Sequence, residues 1–329
     1  MEFKKNKKKA WNVKKPNFFI VGQPRCGTTA IYLSLKAHPQ IYMPEIKEPS
    51  FFSKDLNAKS MSNTLAFVKS YDGYLQLFEN VKDEIVIGEA STNYLYSKVA
   101  AKEIYKFNHA AKIIIILREP IDFLSSYCQF VKCSVLEKNP DVLEYIKCLE
   151  DALNVEEPRK KTDKRHKTKL LPYYEIIKYA EQIKRYYKYF PKDQVKIIIY
   201  DDFREDNKKI LGEILSFLGA DTHYPINVPK ANTSKTVRDT NISAFFKFFF
   251  KTFISRVYSS RELYFFLKKL RLNSVYRLLF NNVYLKNNPD KRIDESLRLK
   301  LMKKYKTEVV KASELIGINL VKKWGYDVV

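Results

Sequence analysis

The sequence predicts an α/β fold, in which a central parallel β-sheet is flanked by helices and followed by a mostly helical C-terminal part. Three observations carry this. Short apolar runs rich in β-branched and aromatic residues recur at 17–22 (NFFIVG), 84–89 (EIVIGE), 112–117 (KIIIIL) and 195–200 (VKIIIY), as suits strands buried on both faces. Stretches with helical spacing separate these runs, and such alternation argues for parallel strands covered by helices. The first run leads through a glycine-bounded loop, Gly22-Gln-Pro-Arg-Cys-Gly27, directly into a helical pattern.

Taken in order, residues 1–16 hold seven Lys and one Glu and read as a basic disordered leader. A single domain is expected over 17–329, with 241–329 as its helical C-terminal portion. After the first strand, Thr28–Ala37 presents Ile31 and Leu35 on one helical face. A helix within Tyr94–Asn108 follows the second strand. Lys112–Leu117 is the strongest strand, and Pro120 suits the first turn of the helix after it. Further helices are expected at Val142–Leu153 and Tyr173–Phe190, the latter with Ile176, Ile177, Ala180, Ile183 and Tyr187 on one side. Asn207–Leu218 is closed by Gly219, where a glycine commonly ends a helix. Glu295–Ile316 carries Leu297, Leu301, Tyr305, Val309, Ala312 and Ile316 at helical spacing.

The chain has 329 residues, with 60 Lys plus Arg against 37 Asp plus Glu, a formal charge of +23 and a pI of about 9.6. Hydrophobic residues make up 45% and aromatics 14%, enough for a core, so a wholly disordered polybasic chain is excluded. The charge is regional. Segments 1–16, 158–169 and 241–285 carry +6, +6 and +7, which leaves only +4 on the other 256 residues. Segment 158–169 reads as a loop. Segment 241–285 adds 13 aromatic residues to its charge. It suits either an anionic membrane surface or a helix whose phenylalanines pack on the sheet, and the second reading is preferred. Four cysteines, Cys26, Cys128, Cys133 and Cys148, form no metal-ligand spacing. Neither a signal peptide nor ~18 consecutive apolar residues is present. The expectation is a cytoplasmic protein, peripheral at the inner membrane face if 241–285 binds lipid.

Gly22 to Thr29 has the G-x-x-x-x-G spacing of a phosphate-binding loop, which makes the expected sheet P-loop-like. Such a loop aims backbone N–H groups and a helix N-terminus at an anion. In a nucleoside-triphosphate loop the residue after the second glycine is Lys. Here it is Thr28, and the cation lies inside the loop as Arg25, so a magnesium-bound triphosphate is poorly served. A plain strand-to-helix turn with Thr28 as N-cap is the structural alternative.

A second constellation reduces that alternative. Gly22-Gln-Pro-Arg-Cys-Gly-Thr-Thr-Ala30 resembles the 5′-phosphosulfate loop of the sulfotransferases that use 3′-phosphoadenosine 5′-phosphosulfate (PAPS). Ile114-Ile-Ile-Leu-Arg118-Glu-Pro120 through Ser126-Tyr127 resembles their 3′-phosphate motif. His38-Pro39, Lys47-Glu48-Pro-Ser-Phe-Phe52 and the closing Tyr305, Leu315-Ile-Gly317 and Lys323-Trp324 are similar to bacterial and carbohydrate-modifying members.

The resemblance implies that Arg25, Cys26, Gly27, Thr28, Thr29 and Ala30 bind the 5′-phosphosulfate. It implies that Arg118 and Ser126 bind the 3′-phosphate and that no metal is required. Lys235 and Arg238, in a late basic segment, match more loosely. Phe123 stands where the family often has a further Arg. By family position Arg25 stabilises the leaving oxygen and Glu48 is the general base. Arginine gives up a proton too reluctantly to act otherwise than electrostatically. Phe51 and Phe52 beside Glu48 are expected to exclude water from it, while pairing with Lys47 or Lys54 is the plain alternative. For Arg118 the alternative is a salt bridge to Glu119, and His38 is expected to be structural.

The implied reaction is sulfuryl transfer to a hydroxyl or amine of a carbohydrate, a glycolipid or another small acceptor, leaving 3′,5′-adenosine diphosphate (PAP). A P-loop kinase or NTPase would need the missing Gly-Lys-Ser/Thr. A nucleic-acid or membrane binder without catalysis would rest on the basic segments alone, and no specific nucleic-acid module is recognised.

Overall fold

The computed structural model describes residues 14–56, 68–138, 173–226, 228–229, 235–237, 285–287 and 293–329. They fall into two compact units. The first runs to Arg118 and resumes over Tyr179–Ala231, and the second comprises Glu119–Lys178 and Asn232–Val329. The leader up to residue 13, the expected helix at 142–153, the basic segment 158–169, Arg238 and nearly all of 241–285 lie outside the described residues.

The first unit holds a five-stranded parallel sheet in the order β2-β3-β1-β4-β5. Its strands are β1 (Phe18–Gly22), β2 (Ile41–Tyr42), β3 (Val86–Ala90), β4 (Lys112–Leu117) and β5 (Val195–Ile199). Every residue of β1 and β3, and all of β4 after Lys112, is buried, which is why these runs, Glu89 in β3 excepted, are apolar rather than alternating. Each of Ile113 to Ile116 is 0% exposed, and burial of such a side chain contributes roughly 1.5–3 kcal/mol.

Around the sheet lie α1 (Thr28–Lys36), α2 (Tyr71–Gln76) and α3 (Ala100–Phe107). Further along the chain, α4 (Pro120–Lys138) and α5 (Tyr173–Ile176) belong to the second unit. The first unit resumes with α6 (Tyr179–Tyr187), α7 (Tyr200–Glu205) and α8 (Asn207–Leu218). Ile31 and Leu35 are fully buried as their spacing predicts, and Gly219 closes α8. The expected helix over Tyr173–Phe190 is broken into α5 and α6, and at the break the Tyr179 hydroxyl donates to the carbonyl of Arg118 (2.9 Å). Tyr186, not Tyr187, joins Ala180 and Ile183 in the core.

The second unit holds α4, α5, β6 (Lys235–Val237), β7 (Leu285–Asn287), α9 (Glu295–Ile316) and α10 (Leu320–Lys323). α9 begins and ends as its spacing predicts and buries Leu301, Met302, Tyr305, Val309 and Ala312. The antiparallel β6–β7 pair adds two short strands that the sequence reading did not anticipate. Three-residue strands are too short to carry a readable period. β6 packs on α4, as does α9. The start of α4 is tied down by an ionic network. Arg298 on α9 reaches Asp122 at 2.8 Å and Glu119 at 3.3 Å, and the Tyr326 hydroxyl donates to Glu119 at 2.6 Å.

The sheet order reverses at β1, whose neighbours are β3 and β4. Open α/β sheets bind ligands beyond the carboxyl ends of strands at such a switch point. Three segments emerge there: the loop 23–27 after β1, the 3₁₀ turn Thr92–Tyr94 after β3, and Arg118 after β4.

Candidate active site

The loop after β1 is anchored before it reaches the helix. A Cβ at Gly22 would lie 2.5 Å from Cβ of Leu95, so only glycine lets the 3₁₀ turn approach. The Gln23 N–H donates to the carbonyl of Ile116 (2.8 Å), and its buried amide donates to Oε1 of Gln182 (2.7 Å). Arg25 and Gly27 then adopt left-handed φ values of 61° and 74°. For glycine this is free, but for arginine it costs roughly 1–3 kcal/mol. The guanidinium of Arg118 holds that strained residue, donating to the Arg25 carbonyl at 3.1 Å while lying 4.8 Å over the ring of Tyr200.

The N-cap of α1 is Gly27 and not Thr28, which is the first helical residue. The first intrahelical bond runs from the Ile31 N–H to the Gly27 carbonyl (3.1 Å), and Gly27 has no side chain to offer as a cap. The N–H groups of Thr28, Thr29 and Ala30 precede that bond. Together with the positive end of the helix they form an anion cradle. Thr28 is buried and Thr29 half-buried. Cys26 is fully buried, its thiol donating to the Pro24 carbonyl, and burial pushes it up to about 12 against the pull of Arg118 and Arg25. It stays neutral at physiological pH and contributes packing and backbone, not a thiolate.

Glu48 reaches the same sheet edge from the loop after β2. Its N–H donates to the carbonyl of Ala90, the last residue of β3 (2.9 Å). Its carboxylate receives the Lys47 ammonium at 2.6 Å, the Thr92 N–H at 2.7 Å and the Thr92 hydroxyl at 3.2 Å from each oxygen. The Lys47 pairing is thus present, while Lys54 pairs with Glu103. The expectation that Phe51 and Phe52 would dry this carboxylate is corrected. Phe51 stacks on Tyr74, and Phe52 packs edge-on against Phe19, Tyr74 and Tyr94. Their rings complete an aromatic core, and polar groups surround Glu48 instead.

His38 is structural. It is 2% exposed, with Nε2 at 2.9 Å from the Asp221 carbonyl and Nδ1 accepting from the Gln40 N–H. Glu119 is taken up by Arg298 and Tyr326, while the Arg118 guanidinium donates to the Arg25 carbonyl. Phe123 is fully buried and stacks on Tyr127 at 5.6 Å. An arginine at that position, placed as Phe123 is, would be desolvated. Ser126 is half-buried on α4 of the second unit, and Lys235 opens β6 of that unit.

Two participants were missed by sequence reasoning. Thr92 carries no signal, because nothing in a Ser-Thr-Asn turn marks a partner 44 residues away. Glu89 did carry one, a carboxylate inside an apolar strand. It is fully buried, neither oxygen meets hydrogen-bond geometry, and the hydroxyls of Tyr74, Tyr94 and Ser91 gather around it. Burial is the dominant influence, with the charge of Glu48 adding to it and the hydroxyls opposing, and the carboxyl is pushed up to about 8.

The chain was compared with known proteins. It is 30% identical over 214 residues to human bifunctional heparan sulfate N-deacetylase/N-sulfotransferase 3, covering 64% of this chain and 23% of that protein. It is 25% identical over 243 residues to mouse carbohydrate sulfotransferase 15, covering 62% of this chain and 43% of that protein. The chain therefore spans less than half the length of these relatives. The crystal structure of a sulfotransferase from Alicyclobacillus acidocaldarius is 25% identical and matches with a TM-score of 0.64, covering 95% of this chain and 100% of that one. A family model described as the sulfotransferase domain matches residues 15–247, more than half of the sequence, and the chain belongs to that family.

Proposed function

We propose that this protein transfers a sulfuryl group from PAPS to a hydroxyl or amine of a carbohydrate acceptor. The observation that carries the reading is the Arg118 guanidinium bound across the carbonyl of a left-handed Arg25 at the mouth of the α1 anion cradle. One bound arginine thereby joins the ends of β1 and β4, the two strand ends that the family's donor motifs occupy. Membership of the sulfotransferase family and relatives named for heparan sulfate and carbohydrate sulfation support the acceptor class.

The residues fit the donor's chemistry. The loop offers N–H groups and the Thr28 and Thr29 hydroxyls to an anion, and Arg118 offers a charge-assisted donor to a second phosphate, for which Ser126 is proposed as a hydroxyl donor by motif resemblance alone. PAPS supplies the activated sulfuryl group and leaves as PAP. Arg25 stabilises the negative charge that develops on the departing oxygen and keeps its own proton. Glu48 takes the proton from the acceptor, through a carboxylate that Lys47 and Thr92 already fix in place. Lys235 and Arg238 are proposed as further cations for the 3′-phosphate.

Titration calorimetry with PAP tests the donor site, and transfer of radiolabelled sulfate from PAPS to desulfated heparan-type oligosaccharides tests the reaction. Saturable PAP binding and labelled product are expected. Absence of PAP binding would overturn the reading.

A further inference from the structure

The loop that brings Glu48 to the sheet edge is held in a costly conformation. Glu48 and Ser50 both have left-handed φ values, 62° and 56°, and neither is glycine. Strain of this kind persists only where the surroundings over-determine it. Here the surroundings are the segment after β3. Ser91 accepts the Ser50 N–H at 3.0 Å, and Asn93 takes the Ser50 hydroxyl at 3.3 Å while its amide donates to the Ser53 hydroxyl at 3.1 Å. Between them stands Thr92, the member that touches the Glu48 carboxylate and not the loop backbone. Ser91 and Asn93 hold the loop; Thr92 holds the reactive group.

The two carboxylate oxygens are thereby made unequal. Oε2 receives the Thr92 N–H at 2.7 Å, and Oε1 receives the Lys47 ammonium at 2.6 Å. The Thr92 hydroxyl is equidistant from both at 3.2 Å and has one proton to give. With the backbone N–H bound to Oε2 from one side and the ammonium bound to Oε1 from another, the threonine hydroxyl fixes the rotation of the carboxylate about its last bond. We propose that Thr92 is the positioning residue of Glu48, its backbone N–H and hydroxyl together fixing the plane of the carboxylate that receives the acceptor's proton. This rests on the reading of Glu48 as the general base.

Three variants separate the role from a merely structural one. Thr92→Val keeps the β-branched shape and the backbone N–H but removes the hydroxyl, and Thr92→Ser restores the hydroxyl without the methyl. With PAPS and desulfated heparan-type oligosaccharide, Thr92→Val is expected to lower kcat about 10-fold, the value of one hydrogen bond to a charged group. The KM for PAPS and the affinity for PAP are expected to stay within about 2-fold, and Thr92→Ser is expected to recover most of kcat. Glu48→Gln run in parallel is expected to lose turnover outright. A crystal structure of Thr92→Val reads the same inference without turnover, and it is expected to show the Glu48 carboxylate turned about its last bond relative to the parent. An unmoved carboxylate, a Thr92→Val kcat equal to the parent's, or a Thr92→Ser variant as slow as Thr92→Val would each overturn the assignment. Full activity in Glu48→Gln would remove the underlying reading of the base instead, and the two failures are thus distinguishable.

Discussion

Replacing Glu89 by Gln tests whether a neutral acid sits inside the sheet. The carboxyl is fully buried, and its pKa rises from an ordinary value of 4.5 to about 8. Below pH 4.5 both folded and unfolded chains carry the proton, and Glu89 contributes no pH dependence. Between 4.5 and 8 the unfolded chain has released the proton while the folded one retains it, so stability falls as pH rises. Above 8 both are ionised and the full penalty stands. At about 1.36 kcal/mol per pH unit, the shift from 4.5 to 8 amounts to about 5 kcal/mol in all, with about 3 kcal/mol already present at pH 7. Glutamine has nearly the same shape and cannot ionise, so any constant cost of its amide among the hydroxyls of Tyr74, Tyr94 and Ser91 cancels in the pH slope. Urea-unfolding free energies of both proteins at intervals from pH 5 to 9 are the assay. The variant is expected to gain steadily on the parent up to about pH 8 and to be the more stable protein there. Two curves that run parallel across this range would show that Glu89 is ionised or solvated, and the reasoning from burial would fail.

Other substitutions probe the site and its supports. Arg25→Ala is expected to reduce turnover far more than PAP affinity, because the side chain acts on charge that develops during transfer; comparison of kcat with calorimetric affinity checks it. Gly22→Ala forces a Cβ to within 2.5 Å of Leu95 and is expected to cost about 1–3 kcal/mol in denaturant stability, with PAP binding weakened as the 3₁₀ turn moves. Tyr326→Phe leaves the buried Glu119 without its 2.6 Å donor. A loss of about 1–3 kcal/mol is expected from unfolding curves, while a change below a few tenths would show that Arg298 suffices.

Much of the site was legible because its chemistry is local. Gly22, Arg25, Gly27, Thr28 and Arg118 each sit at a strand end that periodicity alone locates, and their spacing is fixed by one turn of chain. Glu48 was singled out by its position in the family motif, yet the account of its surroundings was wrong. The sequence places Phe51 and Phe52 next to the carboxylate, but a left-handed φ at Glu48 and again at Ser50 turns the chain so that the rings enter the core while the acid remains at the edge. The N-cap likewise falls on Gly27, one residue before the Thr28 cap that the plain-turn alternative offered. A threonine is the better capping side chain, but the loop needed a left-handed residue there, and only Gly27 accepts that position beside Phe203 and Tyr200 at 3.1 Å.

The sequence by itself determined the four longer strands, their order along the chain and the loop with phosphate-binding spacing, because each depends on a few neighbouring residues and their hydrophobic period, while motif resemblance pointed to the family. Only the tertiary structure decided that Arg118 braces Arg25, that Thr92 holds Glu48 and that Glu89 is buried beside them. Those pairings join residues 93 and 44 positions apart. They exist because parallel pairing of β1 with β3 and β4 brings three distant strand ends to one edge of the sheet, a geometry that no local pattern encodes.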